Sequence, residues 1–201
     1  EKAAEVRTGP KRSANGPEKE AKAAEKLAAF GGNGKNPETS HLCGAKATGS
    51  WDGDLEWSWS YSTEMYRSHH DIEPLPNGNI LMIAWEFRSE SEAAEAGKYP
   101  QDDSSRAVTT STVWPDKIIE VKPIGLEDAI IVWEWTFWDH LIQDYDSSKA
   151  NYGVVSDHPE LLDVNYIDAA GSASGGRDWL HCNGIDYNAI LDQIAISCKN
   201  T

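Results

Sequence analysis

Short strand-like segments separated by turn-forming residues run through this chain from about residue 54 onward, and they constrain its fold more than any other feature. In segment 54–61, Leu55, Trp57, Trp59 and Tyr61 alternate with polar residues, the period-two pattern of a strand with one buried face. Six further segments carry strand signals between turn residues, at 70–75, 80–87, 117–121, 129–137, 185–187 and 193–197. Many short strands with turn signals between them predict an all-β fold.

The order of these segments predicts a partial β-propeller. Residues 70–137 contain four strands in succession, the number in one blade, with the innermost strand first. The preceding segment would supply an outer strand of one blade, and the last hairpin the inner half of another. The chain thus holds about two blades, whereas closure takes about four or more. We therefore expect a fragment that ends within a blade, with the remaining blades in further sequence or in another chain. An open two-sheet structure is the alternative.

Two long excursions interrupt the strands, and a different composition precedes them. Residues 88–115 include a helix-prone stretch at 89–98. Residues 138–176 include expected helical turns at 138–145 and 158–164, then a Gly/Ser/Ala-rich loop at 169–176. Residues 1–40 are rich in Ala, Lys and Glu with Gly-Pro interruptions, which predicts a weakly ordered arm with one short helix at 18–30. The predicted division is an arm at 1–40 and a partial propeller at 41–201.

Charge excludes several classes of partner. The net charge is −15, and residues 39–201 carry only ten Lys and Arg against 27 Asp and Glu. Such a surface repels nucleic-acid phosphates and anionic lipids, so we expect no nucleic-acid partner. No run of 18 apolar residues exists, and we expect no membrane span. The N-terminus lacks the apolar core of a signal peptide, so any export signal would have been removed or would lie outside this chain.

Two of the three cysteines fall on the arms of one predicted hairpin. Cys182 lies on the arm 182–188 and Cys198 on the arm 192–199. A turn centred on Ile190 would bring the two opposite each other, within reach of a disulfide. Two small buried thiols are the alternative.

Histidines open two of the strand-like runs. In the stretch 178–187, His181 and Asn183 are two residues apart, so in a strand they would point to the same face. His69 and His70 open an earlier run of the same type, at 69–79. The two openings suggest repeated units that aim histidines at a common centre.

Several motifs resemble the arylsulfate sulfotransferase family over roughly residues 50–201. They are HHDIEPLPNGNILMIAWE (69–86), DKIIEV (116–121), IVWEWTFWDHLIQDYD (131–146), NYGVVSDHPELLDVNY (151–166) and DWLHCNGIDYNAILDQIAIS (178–197). The resemblance implies a six-bladed propeller whose central channel binds a sulfate ester. It implies transfer of a sulfuryl group from a phenolic sulfate to a phenol through a covalent sulfohistidine, with neither a nucleotide donor, another cofactor nor a metal. Family analogy also implies a periplasmic or extracellular location.

The resemblance assigns roles to five residues. His181 and Asn183 match the family's His-x-Asn motif, His181 as general acid/base or sulfuryl contact and Asn183 as a donor to the sulfuryl oxygens. His70 matches the family's histidine at an inner strand start, with His69 as the fallback. Lys199 stands where the family has an arginine, and it keeps the charge but loses the planar bidentate fork. These residue types suit the reaction, because the spreading negative charge needs fixed donors and the leaving phenolate needs an acid.

Other interpretations of these residues remain open. His181 could be a buried, satisfied histidine at a capped strand end, and His69 and His70 could be a surface pair. The family nucleophile is a histidine beyond Thr201, whereas His140 and His158 are expected to be structural. We therefore expect that this chain alone does not complete the double displacement. A non-catalytic propeller segment that serves as a binding or structural module is the alternative function.

Overall fold

The computed structural model describes residues 4–6, 45–49, 54–98, 112–166 and 178–200, and this part is almost entirely β-structure. Its strands are β1 (Ala4–Val6), β2 (Ala45–Gly49), β3 (Leu55–Ser60), β4 (Tyr66–Pro74), β5 (Ile80–Glu86), β6 (Asp116–Ile124), β7 (Asp128–Thr136), β8 (Leu141–Ile142), β9 (Leu162–Asp163), β10 (Cys182–Asn188) and β11 (Gln193–Cys198). One α-helix, α1 (Glu90–Glu95), lies among them. The prediction of an all-β chain is confirmed.

A four-stranded antiparallel sheet forms the centre of the molecule, in the order β4-β5-β6-β7. It confirms the predicted succession of four strands, although β4 begins at Tyr66 rather than at residue 70. Residues 80–84 of β5 are all buried, so both faces of this strand are covered. Successive side chains of β5 enter different apolar clusters, as the pleat requires: Leu81 and Ile83 join one, and Ile80 and Met82 join the other.

The hairpin β10–β11 packs beside this sheet and shares its core. β1 extends the hairpin into a three-stranded sheet in the order β1-β11-β10. Ile185 and Ile196 belong to the same apolar cluster as Leu81 and Ile83. The backbone N–H of Ile185 also donates to Asp71 Oδ2 at 3.2 Å, which joins β10 to β4. This junction between the two sheets positions the candidate site.

The hairpin β2–β3 covers the other apolar cluster. Trp57 of β3 is buried in it, and its indole N–H donates to the carbonyl of Asp128 at 2.9 Å. The backbone N–H of Ser58 donates to the carbonyl of Leu126 at 2.9 Å. These contacts attach β3 to the turn between β6 and β7.

The excursions fold only in part as predicted. The helix-prone stretch at 89–98 forms α1, which begins with a capping box between Ser89 and Glu92. The expected helical turns at 138–145 reduce to a short 3₁₀ helix, Phe137–His140, followed by β8. The expected helical turn at 158–164 is wrong, because β9 pairs there in parallel with β8.

The reason for that error lies in tertiary packing. Val164 is fully buried, and its backbone N–H donates to the carbonyl of Ile142 at 3.0 Å. Burying these apolar residues together outweighs the weak local preference for a helix. The predicted helix at 18–30 and the loop at 169–176 lie outside the described residues. Among the described helices, none has both the length and the apolar character needed to cross a bilayer.

Candidate active site

Two histidines occupy irregular positions where β4 and β10 meet. His70 lies within a register shift of β4, between Ser68 and Ile72, and His181 immediately precedes the bulge at the start of β10. Both have a φ of +53°, in the left-handed region that non-glycine residues seldom adopt. Such a conformation costs of order 1–3 kcal/mol and persists only where surrounding contacts impose it. The irregular backbone therefore sets the direction of both rings.

The two rings meet across the junction between the sheets. His70 Nε2 and His181 Nε2 are 3.0 Å apart, although the residues are separated by 111 positions in the chain. The ring centroids are 4.8 Å apart and the planes nearly perpendicular, at 65°. His70 is exposed and His181 half-buried, so the pair is reachable from solvent. The structure thus brings both predicted catalytic residues together, while their roles stay predictions.

A carboxylate sets the protonation pattern of the pair. Asp178 is 6% exposed and its Oδ2 forms a short contact with His181 Nδ1. An ionised carboxylate only accepts hydrogen bonds, so Nδ1 carries a proton and Nε2 of the neutral ring is an acceptor. The hydrogen bond between the two Nε2 atoms then needs a proton on one of them. His70 can supply it in its neutral or its charged form, and His181 can supply it in its charged form. While this hydrogen bond persists, one of the two Nε2 atoms must be the acceptor, so the pair carries at most one positive charge.

His69 lies behind this pair rather than on the surface. It is 7% exposed, and its Nε2 is 2.7 Å from Asp116 Oδ1. Its ring stacks on Trp85 at 4.1 Å and lies 5.1 Å from the ring of His70. The alternative of a surface pair is therefore wrong for His69, and the substrate-binding role predicted for it is untested.

Asp116 links the two histidine segments. Its side chain is fully buried, with Oδ1 on His69 and Oδ2 accepting from the backbone N–H of Cys182 at 3.3 Å. Burial raises the pKa of Asp116 well above its ordinary value, and the N–H groups of Cys182 and His181 oppose the rise. Two proton placements keep the bond to His69: an O–H on the acid or an N–H on the imidazole. Asp116 thereby connects the ring of His69 to the backbone that carries His181.

Asn183 and Lys199 take positions that the alternation argument did not predict. Asn183 is the extra residue of the bulge in β10, and His181 precedes the strand with a left-handed backbone, so the two do not alternate as in a regular strand. The Oδ1 of Asn183 accepts from Ser197 Oγ at 3.0 Å. Lys199 has an exposed side chain, and its backbone N–H donates to the carbonyl of His181 at 3.0 Å.

A disulfide fixes the backbone beside His181. Cys182 and Cys198 are opposite each other in the register of β10 and β11, and they are bonded. Of the two alternatives for these cysteines, the disulfide is confirmed. Together with the hydrogen bond from Lys199, it holds the ends of both strands next to the histidine pair.

Sequence reasoning missed both carboxylates of the site. Asp178 had a local signal, since it lies three residues before His181 in the stretch that drew attention to that histidine. Asp116 had none, because it reaches His69 from the first position of a different strand, 47 residues away. In the described part of the chain, no three acidic, cysteine or histidine side chains are grouped in a way that could hold a metal ion.

Comparison with known proteins identifies the family. The family model for arylsulfotransferase (ASST) matches residues 53–201, well over half of the chain. No curated protein and no solved structure matches significantly. The matched region contains all five residues for which the sequence predicted a role, and it includes β4 and β10, where the histidines meet. The chain belongs to the arylsulfotransferase family.

Proposed function

We propose that this protein transfers a sulfuryl group from a phenolic sulfate ester to a phenol, and that His70 and His181 form part of the sulfuryl site. The observation that carries the proposal is the 3.0 Å approach of the two Nε2 atoms, with Asp178 behind His181. A histidine pair that shares one proton supplies a donor and an acceptor at the same point. Sulfuryl transfer needs both, one after the other.

The proposed reaction takes two steps. In the first, the bond between sulfur and the aryl oxygen breaks, a bond from sulfur to a histidine nitrogen forms, and the leaving phenolate takes a proton. In the second, the acceptor phenol gives up its proton, its oxygen bonds to sulfur, and the sulfur–nitrogen bond breaks. His181 would donate the first proton as an acid and remove the second as a base. Asp178 would stabilise the charged form of the ring before the first step and after the second.

The same pair can bind the sulfuryl oxygens. When a sulfate ester enters, the bond between the two Nε2 atoms can open and one more proton can be taken up from solvent, and each protonated Nε2 then donates to an oxygen. Fixed donors of this kind stabilise the charge that spreads over the oxygens in the transition state. We assign Asn183 and Lys199 a supporting role, with His69 as a residue that positions His70 from behind. Lysine in place of arginine supplies charge without two parallel hydrogen bonds.

The proposal includes parts beyond these residues. We place the covalent histidine after the His-x-Asn motif and complete a six-bladed propeller with further blades, as the family resemblance implies. The exposed apolar side chains of the edge strand β7, such as Ile130 at 53%, suit packing against a neighbouring blade. We further propose a periplasmic or extracellular location, which the disulfide supports because such bonds persist in oxidising compartments.

The test is transfer from 4-nitrophenyl sulfate to phenol by the full-length protein. His181→Ala should lower the rate by roughly 10²–10⁴-fold, the range for loss of a general acid or base. His158→Ala is the matched control, since His158 is exposed and bonded only locally to Glu160 at 3.0 Å, and it should leave the rate within about twofold. Full activity in His181→Ala would refute the assignment. A stable, assembled protein without any transfer would instead favour a binding or structural module.

A further inference from the structure

We infer that a cavity bounded by Trp85 binds a neutral, single-ring phenol, which in the proposed reaction is the acceptor. The cavity lies between the start of β4, the end of β5 and Trp114, and its volume is about 240 Å³. Ligand pockets typically measure roughly 300–1,000 Å³, so this one suits a ligand of one ring rather than a larger molecule. The identity of the phenol rests on the proposed function, whereas the presence of an aromatic site does not.

The walls of the cavity suit an aromatic ring. Trp85 and Trp114 meet at a tilt of 54° with their centroids 5.5 Å apart, and Tyr66 and Phe87 also line the space. Aromatic rings favour tilted and offset contacts of this type over parallel overlap. Met65 lines the cavity with a side chain that is 55% exposed, and its thioether packs well on ring edges.

The charges of the cavity give no net attraction for an anionic ligand. Two carboxylates, Glu64 and Glu86, line it against one guanidinium, Arg67. Glu86 accepts from Arg88 at 2.8 Å and from Thr136 at 2.6 Å, so it is held in place on this wall and its charge is offset by Arg88. The net charge of the chain, −15, repels a sulfate ester. A phenol carries no such charge.

Hydrogen bonding favours a ligand that carries a hydroxyl group. Glu64 and Glu86 line the cavity, and their carboxylate oxygens can accept from such a group. The oxygen of a phenol can accept a hydrogen bond and can also donate one to a carboxylate, whereas an unsubstituted ring can do neither.

Trp85 belongs both to the cavity and to the histidine cluster. The ring of His69 stacks on it at 4.1 Å, and His69 in turn contacts the ring of His70 at 5.1 Å between centroids. A ligand packed against Trp85 therefore lies two ring contacts from the histidine pair. We therefore assign the cavity to the acceptor before it reacts, and the phenol would leave Trp85 for the histidine pair when its oxygen attacks sulfur.

The experiment is ¹⁹F NMR of the full-length protein labelled with 5-fluorotryptophan, titrated with phenol. Trp85→Phe and Trp114→Phe identify the two resonances, because each variant removes one of them. We expect both resonances to shift along one saturable curve, and cyclohexanol, which lacks the aromatic ring, to shift them little. Saturable shifts confined to other tryptophans, or no saturable shift at all, would overturn the inference.

A pair of surface variants tests the location without disturbing the core. Met65→Glu adds a carboxylate and removes the thioether contact, and it should weaken phenol binding roughly five- to tenfold. Leu126→Glu makes the same charge change at a residue that is 68% exposed on the turn between β6 and β7, and it should leave binding unchanged. Equal weakening in both variants would overturn the location. Phenyl sulfate should bind at least roughly fivefold more weakly than phenol, about 1 kcal/mol of repulsion, and tighter binding would reject the neutral ligand.

These measurements are independent of turnover. If phenol saturates the two resonances while the protein transfers no sulfate, the aromatic site stands and the proposed function falls. If transfer occurs while phenol leaves both resonances unmoved, the proposed function stands and the aromatic site is rejected.

Discussion

Two regions of this molecule contain groups of hydrogen-bonded polar side chains, and the two groups bond to different partners. One is the loop network, formed by Lys98, Gln143, Asn151 and Asn165, which holds the excursions against α1. Its members bond mainly to backbone: Lys98 Nζ donates to the carbonyl of Val164, and the side-chain amides of Asn151 and Asn165 donate to the carbonyls at 96 and 97, all at 2.9–3.0 Å. Gln143 accepts from the N–H groups of residues 145 and 146 at 2.7 Å. These bonds fix the course of the chain.

The histidine cluster, formed by His69, His70, His181, Asp116 and Asp178, uses side chains against one another. Its bonds join ionisable groups to one another, the bond between His70 and His181 crosses the junction of the two sheets, and both of these histidines have a left-handed backbone conformation. A side chain that hydrogen-bonds to backbone groups has no titratable partner with which to exchange a proton. An imidazole and a carboxylate that face each other do have such a partner. The loop network stabilises the fold, and the histidine cluster is the region to which we assign the proposed chemistry.

The largest expected effect is on the loop network. Gly97 has a φ of +75°, and a Cβ there would lie 2.6 Å from Gln143 Cδ. Gly97→Ala should therefore lower the free energy of unfolding by at least about 3 kcal/mol, from backbone strain and overlap together. Urea denaturation measures it, and transfer per folded molecule should be unchanged.

Gly125→Ala is the matched control for that variant. Gly125 also has a positive φ, +59°, but a Cβ there would meet nothing within 4 Å. It should cost only about 1–2 kcal/mol, the strain of a left-handed alanine. Equal costs at the two positions would show that Gln143 is not packed as described.

The next effect is on transfer activity, and it distinguishes the histidine cluster from the loop network. Asp178→Asn replaces an acceptor-only group with an amide, which no longer fixes the proton on His181 Nδ1. We expect transfer to fall by about 10–100-fold, as for loss of a partner that orients a reactive histidine. The free energy of unfolding should fall by only about 1 kcal/mol.

Asp144→Asn, an exposed change in the loop after β8, is the control for that prediction. It should retain full activity. If Asp178→Asn does so as well, Asp178 has no part in setting the proton on His181.

The smallest effect concerns pH and Asp116. Its pKa is raised in the folded protein, so the folded state binds the proton more tightly than the unfolded chain, where the pKa is about 3.9. This stabilisation is complete below the unfolded pKa and is lost as pH rises through the folded pKa. In Asp116→Asn this side chain cannot ionise, so the variant lacks this pH-dependent contribution to the free energy of unfolding.

The measurement is the free energy of unfolding of both proteins between pH 4 and the neutral range, a window of about three units. The free energy of unfolding of the wild type minus that of Asp116→Asn should be largest near the acid end of this window. As pH rises it should fall by about 1.4 kcal/mol for each unit by which folding raises the pKa of Asp116. A difference that stays constant, or that grows with pH, would show that Asp116 is not held by burial as the structure indicates.

The sequence predicted features that depend on local pattern. The four strands of the central sheet follow from alternation and turn residues, and α1 forms within the helix-prone stretch at 89–98. The pairing of Cys182 with Cys198 follows from hairpin register. The alternation argument failed for Asn183, because a bulge adds a residue and interrupts the period of two.

Features that depend on distant contacts were beyond such reasoning. The parallel pair β8–β9 forms where Val164 and Ile142 are both buried. No local sequence pattern near residue 162 identifies β8 as the partner strand. Asp116 joins the histidine cluster from another strand by tertiary packing alone. The positive φ of His70 and His181 likewise reflects the junction of two sheets rather than a preference of histidine.

The central claim is that His70 and His181 act as one unit in sulfuryl transfer. The most direct test is a double-mutant cycle on transfer from 4-nitrophenyl sulfate by the full-length protein, with His70→Gln, His181→Gln and the double variant. Because one proton is shared across the 3.0 Å bond, each single change should remove most of the activity and the double variant should be little worse than either. Losses that multiply in the double variant, or single variants with wild-type rates, would contradict the claim.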